Sequence, residues 1–177
     1  MPHFMTMRNQ ESHVVSVLND AEEQILVAIA DRIFPKTDSP GAVEIGAIEY
    51  IEIALAGDYA ALVPLYHQGL KAVQRRSRTK FGKPFVDLSD AEKDQLLRDF
   101  EAGSADNFKA AAEFFETLRY QVLEGVFCEP KYGGNKNMTG WRLVGFPGQQ
   151  LGYADPYINK RVDLEPVSAD DGEVKGK

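Results

Sequence analysis

Five stretches of the chain repeat apolar residues at helical spacing, and none alternates apolar with polar residues long enough to read as a strand. In the first, "NDAEEQILVAIADRIFP" (19–35), Ile25, Leu26, Ile29 and Ile33 recur along one stripe. Asn19 with Glu22 three residues later forms a capping box, and Pro35 marks the stop. After the turn residues "KTDSPG", the pattern "AVEIGAIEYIEIALAG" (42–57) groups Val43, Ala47, Ile51 and Ala54 and leaves Glu44, Glu49 and Glu52 elsewhere. The third pattern runs from Tyr59 to Arg78 and carries Leu62, Tyr66, Leu70 and Val73, with Pro64 acceptable only in the first turn. The link "TKFGKPFVD" is too rich in Gly, Pro and basic residues to continue it.

A second capping box, "SDAE" (89–92), opens a short helix that buries Leu96, Leu97 and Phe100 and stops at Gly103. The longest pattern, "SADNFKAAAEFFETLRYQVLEGVF" (104–127), aligns Phe108, Ala112, Phe115, Leu118, Val122 and Val126. Beyond Phe127 the periodicity disappears. The expected fold is therefore all-α: a bundle of about five helices, then an ordered but irregular C-terminal region rich in Gly, Pro and aromatic residues. A single helical domain spans residues 1–163, and the polar residues 164–177 form a tail that is flexible or extended over a neighbour.

Composition narrows the function more by exclusion than by suggestion. With 177 residues, 44% of them hydrophobic, the chain can bury a core without staples. A net charge of -7 disfavours phosphate binding, and the basic run "RRSRTK" (75–80) reads as a solvated face complementing the end of its helix. One cysteine, Cys128, excludes an intrachain disulfide, a Cys-based zinc site and a haem attachment motif in this chain. No run is long and apolar enough to span a membrane, and no secretory signal pattern is visible at the start.

Candidate chemistry is sparse. His3, His13 and His67 lack the close helical spacing of a metal pair, so no metal site is expected. Neither the dinucleotide-binding fingerprint nor the phosphate-cradling loop occurs, so no cofactor is expected in this chain. Cys128 follows a helix C-terminus, where the dipole raises a thiol pKa, so it is not expected to act as a nucleophile. Glu113, Glu116, Glu124 and Glu129 are available as carboxylates near the glycine-rich region, but among 27 acidic residues they read first as helix faces and rims. No catalytic residue is assigned.

The stretch that calls for explanation is "EGVFCEPKYGGNKNMTGWRLVGFPG" (124–148). Pro130 fixes one φ, and Gly133, Gly134 and Asn135 are consecutive residues tolerant of positive φ, so the chain reverses tightly there. Trp141, Leu143 and Phe146 then stand between glycines. Such a loop either seals the end of a bundle or presents a docking surface.

The run 114–148 closely resembles the signature of the gluconate 2-dehydrogenase subunit 3 family. Its elements here are Gly125 and Phe127, then Glu129, Pro130, Tyr132, Gly133, Gly134 and Asn135, then Gly140 and Trp141, and finally Phe146, Pro147 and Gly148. The upstream "DRIFPKTDSPGAVEIGAIEYIE" is similar to the family's N-terminal segment. The resemblance implies a non-catalytic, cofactor-free subunit that stabilises or chaperones a large flavoprotein of the glucose-methanol-choline oxidoreductase type. That partner binds FAD and oxidises a sugar, sugar acid, polyol or glycoside, and a cytochrome c carrying haem often accepts the electrons. The loop residues Phe127, Glu129, Pro130, Tyr132 to Asn135, Trp141 and Phe146 to Gly148 are then candidates for the partner interface or for its structural support. Many such subunits carry a twin-arginine export signal, which is not seen here. A periplasmic location is expected if such a signal has been removed, and a cytoplasmic one otherwise. The rival reading is a stand-alone sugar-binding protein or acid/base enzyme that uses the loop carboxylates, with Trp141 or Tyr132 as a stacking platform.

Overall fold

The computed structural model describes residues 16–105, 108–149 and 165–169, so His3, His13 and most of the C-terminal tail lie outside the described residues. Among the described residues there are seven α-helices and no strand: α1 Asp20–Ile33, α2 Ala42–Ile45, α3 Ala47–Ala56, α4 Val63–Phe81, α5 Asp90–Glu101, α6 Ala111–Phe127 and α7 Thr139–Val144. None of them is long and apolar enough to cross a membrane. The all-α bundle expected from the periodicity is the fold observed.

Both capping boxes form. Asn19 Oδ1 accepts from the backbone N–H of Ala21 and Glu22 at 3.1 Å, and Glu22 accepts from the N–H of Asn19 at 3.2 Å. At α5 the Ser89 N–H donates to Glu92 at 2.8 Å. Each box satisfies N–H groups that the helix cannot bond internally.

Helix α6 is the axis of the bundle and packs against α1, α2, α3, α4 and α5. Its apolar stripe meets Leu26 and Ile29 of α1, Ile51 of α3 and Leu70 of α4 in one core, all of them with no exposed surface. Each such side chain contributes about 1.5–3 kcal/mol by leaving water. Phe114 lies edge-on to Tyr66, Phe100 and Phe108, with ring centroids 5.9, 6.2 and 6.3 Å away.

Three boundaries depart from the periodic pattern, each for a local reason. The expected single helix over 42–57 breaks at Gly46, whose φ of 98° is incompatible with a continuing right-handed helix. A Cβ there would lie 2.9 Å from the Lys136 side chain, which crosses Gly46 to pair with Glu49. Helix α4 runs past Arg78 to Phe81, because Gly82 at φ 72° provides the left-handed cap that ends it. Helix α6 starts at Ala111 rather than Ser104. Phe108 reaches the core from a turn instead, its N–H bonded to the Ala105 carbonyl at 3.2 Å.

The basic run is less solvated than expected. Arg76 and Lys80 turn toward α5 and bond Asp99 at 3.2 and 2.7 Å, which leaves Arg75 and Arg78 exposed. On the other side of α5, Arg32 of α1 grips Asp94 with two bonds of 2.8 and 3.1 Å. That grip holds the Asp94 carboxyl below its ordinary value of 3.8. A depressed folded pKa stabilises the fold in full above the unfolded value, and the contribution disappears as the pH falls through the folded one. Asp94→Asn is therefore expected to cost about 1 kcal/mol at neutral pH, with the gap from wild type closing as the pH falls below the ordinary carboxylate range in urea-unfolding midpoints.

One buried polar pair crosses the core. The Tyr66 hydroxyl donates to Gln121 Oε1, and the Gln121 Nε2 end, also buried, has no partner among the described residues. Tyr66→Phe alone would leave the whole amide unpaired and is expected to cost about 1–3 kcal/mol. Tyr66→Phe with Gln121→Leu is expected to recover most of that loss, because both ends of the polar pair then go together. Denaturant midpoints of the two variants check this.

Candidate functional site

The signature loop starts where α6 ends, and its geometry is set by close backbone approaches. Gly125 faces α3: a Cβ there would lie 2.7 Å from the Ala47 Cα. The chain then leaves the helix at Cys128, makes a short 3-10 turn over Pro130–Tyr132 and returns across the helix end. On that return a Cβ at Gly134 would meet the Gly125 carbonyl oxygen at 2.2 Å, and one at Gly140 would meet that of Val126 at 1.9 Å. Glycine is required at both positions because backbone lies directly on backbone.

Asn135 holds this return in place. It is fully buried and left-handed, with φ 44°. Its N–H donates to the Gly125 carbonyl at 2.7 Å, its Nδ2 to the Cys128 carbonyl at 2.8 Å, and its Oδ1 accepts from the Gly140 N–H at 2.8 Å. One residue thus satisfies two carbonyls at the C-terminus of α6 and an N–H at the start of α7. Asn137 and Met138 also take positive φ, each 56°, which for a non-glycine residue costs about 1 kcal/mol and is maintained by the bonds around it.

Helix α7 was not legible in the periodicity, and it corrects the reading of "GWRLVGFPG" as irregular. It points Trp141 inward: the ring is 5% exposed, and its Nε1 donates to the Phe127 carbonyl at 2.7 Å. Trp141 is therefore not available as a stacking platform for a ligand. It seals the end of the bundle, with Phe146 edge-on at 5.1 Å and Phe127 edge-on to Phe34 at 6.0 Å.

The other loop residues named from the sequence divide between structure and surface. Glu129 accepts from Ser168 Oγ and from the Ala169 N–H at 2.9 Å, and Gly148 bridges to Val167, with the Val167 N–H donating to the Pro147 carbonyl at 3.1 Å. Residues 165–169 thus lie against the loop. Tyr132 and Phe146, by contrast, are about half exposed, Leu143 and Val144 of α7 are exposed, and Ile53 of α3, also exposed, lines a groove with Tyr132. Of these, Ile53 and Val144 were not singled out from the sequence.

The four carboxylates do not gather at one site: only Glu116 and Glu124 share a groove, while Glu129 is bonded to Ser168 and Ala169. Glu113 is exposed on α6, and Glu116 and Glu124 line a groove of about 480 Å³ with Tyr59, Arg119 and Tyr120. Glu124 accepts from the Tyr50 hydroxyl at 3.0 Å and from that of Tyr59 at 3.5 Å. Burial, and then the bond to Glu124, hold the Tyr50 phenol far above its ordinary pKa, so it stays a donor. These tyrosines were missed because they stand 74 and 65 residues away in sequence, and no local motif announces the contact. A second groove of about 400 Å³, lined by Tyr50, Ile53, Tyr59 and Tyr132, continues this surface to the loop.

Cys128 is pushed up to about 11 by burial, so at neutral pH it is a thiol rather than a nucleophilic thiolate. His67 Nδ1 lies 2.9 Å from Glu22 and joins α4 to the start of α1. Among the described residues no group of three His, Cys, Asp or Glu side chains is placed to hold a metal ion.

Neither curated proteins nor solved structures gave a match to the chain. A family model did, over residues 20–148, from the start of α1 to the glycine that bridges to Val167. It covers the bundle and the whole loop that Asn135 and Trp141 fix in place, and on that match the chain belongs to the gluconate 2-dehydrogenase subunit 3 family.

Proposed function

We propose that this chain is the non-catalytic accessory subunit of an FAD-dependent dehydrogenase acting on a sugar, sugar acid or glycoside, and that it stabilises the catalytic flavoprotein. Family membership makes it a subunit of a dehydrogenase complex. The observation that carries the finer reading is the division of the loop into two sides. Its inner side is bonded to the end of α6 through Asn135 and Trp141, while its outer side shows Tyr132, Leu143, Val144 and Phe146 to solvent.

A rigid support under exposed aromatic and aliphatic side chains suits docking, since little ordering remains to oppose association. Tyrosine is a favoured anchor in such surfaces, and Tyr132 leads into the groove of Tyr50 and Tyr59. In this reading FAD belongs to a partner of the glucose-methanol-choline oxidoreductase type, and a cytochrome c with haem takes the electrons. This chain contributes surface rather than chemistry.

Co-expression with a candidate flavoprotein partner of the glucose-methanol-choline oxidoreductase type, followed by size-exclusion chromatography, tests the pairing. One yellow peak containing both chains is expected. Two separate peaks at full yield would end the proposal.

A further inference from the structure

We propose that the chain also pairs with a second copy of itself, through an acid-rimmed groove on α1 and α2 and a basic stripe on α4. This rests on features outside the loop and does not depend on the reading above. The groove, of about 800 Å³, has a floor of Val27, Ala28, Val43 and Val86, and Asp20, Glu23 and Asp31 stand along it on α1. Val86 is partly exposed, at 37%. Among the described residues none of the three acids makes an ion pair, and Asp20 and Asp31 are exposed. Glu44 also borders the groove, but it is held by Lys36 at 3.1 Å and by the Gly41 N–H.

The complement lies next to it. A smaller groove, of about 330 Å³, shares Gln24 and Val86 with the first and is walled on its far side by Leu70, Lys71 and Gln74 of α4. Lys71 begins a stripe that continues, at spacings of four and three residues, through Arg75 and Arg78. All three are exposed and make no ion pair among the described residues, whereas Arg76 and Lys80 on the neighbouring face are engaged by Asp99.

An acidic face and a basic face side by side on one surface are self-complementary under a two-fold rotation. An axis near Gln24 and Val86 sets the acids of each copy against the bases of the other, so each contact is made twice. The valines of the groove floor supply an apolar centre, and the charges form the rim. In a chain with a net charge of -7, the association depends on this local arrangement and not on overall attraction. It should weaken steeply as salt screens the rim.

Sedimentation equilibrium of the full chain tests this. Wild type is expected to dimerise at about 20 mM salt, with at least about tenfold weaker association at about 500 mM. Reversing the acids (Glu23→Lys with Asp31→Lys) or the bases (Arg75→Glu with Arg78→Glu) should each weaken the dimer by about tenfold or more. Combining all four should restore it, because the swapped charges again oppose. Circular dichroism checks that each variant keeps its helices. A chain that is monomeric at low salt overturns the proposal, as does a dimer indifferent to the reversals or one that the swap does not rescue. Reversals that leave the chain monomeric throughout but abolish co-elution with the flavoprotein would assign these faces to that partner instead, which also overturns it.

Discussion

Asn135→Ala is expected to destabilise the fold by at least about 3 kcal/mol. Two side-chain bonds disappear, and the part-buried Cys128 carbonyl and buried Gly140 N–H that they satisfied lose their partner next to the α6 end. Each orphaned group costs about 1–3 kcal/mol, and an alanine at φ 44° adds about 1 kcal/mol. Asn135→Gly separates these contributions, since it keeps the left-handed backbone and removes only the side-chain bonds. It is expected to be the milder variant by about 1 kcal/mol. The readout is built in. Trp141 is the only tryptophan of the chain and sits on α7, so its emission should shift to longer wavelength when α7 detaches, ahead of or together with global unfolding.

Tyr132→Ala combined with Leu143→Asp is expected to do the opposite: little to the fold and much to the complex. Tyr132 is 53% and Leu143 41% exposed and neither is part of the core, so the stability of the isolated chain should change by less than about 1 kcal/mol. If the outer side of the loop is the docking surface, affinity for the flavoprotein should fall at least about thirtyfold, or about 2 kcal/mol. The contrast with Asn135 is the informative part. A variant that fails to bind because it fails to fold moves both readouts, and this one should move only the second.

Most of the bundle is legible in the sequence because its helices follow local rules. The Asn19 to Glu22 and Ser89 to Glu92 boxes, the stop at Pro35 and the stripe of α6 each depend on residues within a few positions of one another. Gly46 is different. Its glycine looks harmless within a helical pattern, and only the arrival of Lys136, from 90 positions further on, shows why α2 and α3 part there.

The loop was legible as a turn but not as a structure. Gly133 and Asn135 do take the positive φ that their residue types favour, yet Gly134 is required for a different reason, the 2.2 Å approach to the Gly125 carbonyl. Trp141 could be read equally as an anchor for a partner or as a seal for the bundle. A bond from its indole N–H to the Phe127 carbonyl decides for the seal. The exposed side chains of the loop are Tyr132, Phe146, Leu143 and Val144, and the groove that Tyr132 shares with Ile53 of α3 is a contact no local pattern could supply.

The most direct test of the accessory-subunit account is dye-linked sugar oxidation by the proposed flavoprotein partner. It should be produced alone, with the wild-type chain, and with the Tyr132→Ala, Leu143→Asp variant. The account predicts soluble, yellow, active flavoprotein only in the presence of the wild-type chain, and a marked loss of yield or activity with the variant. Equal yield and equal activity in all three preparations would contradict it.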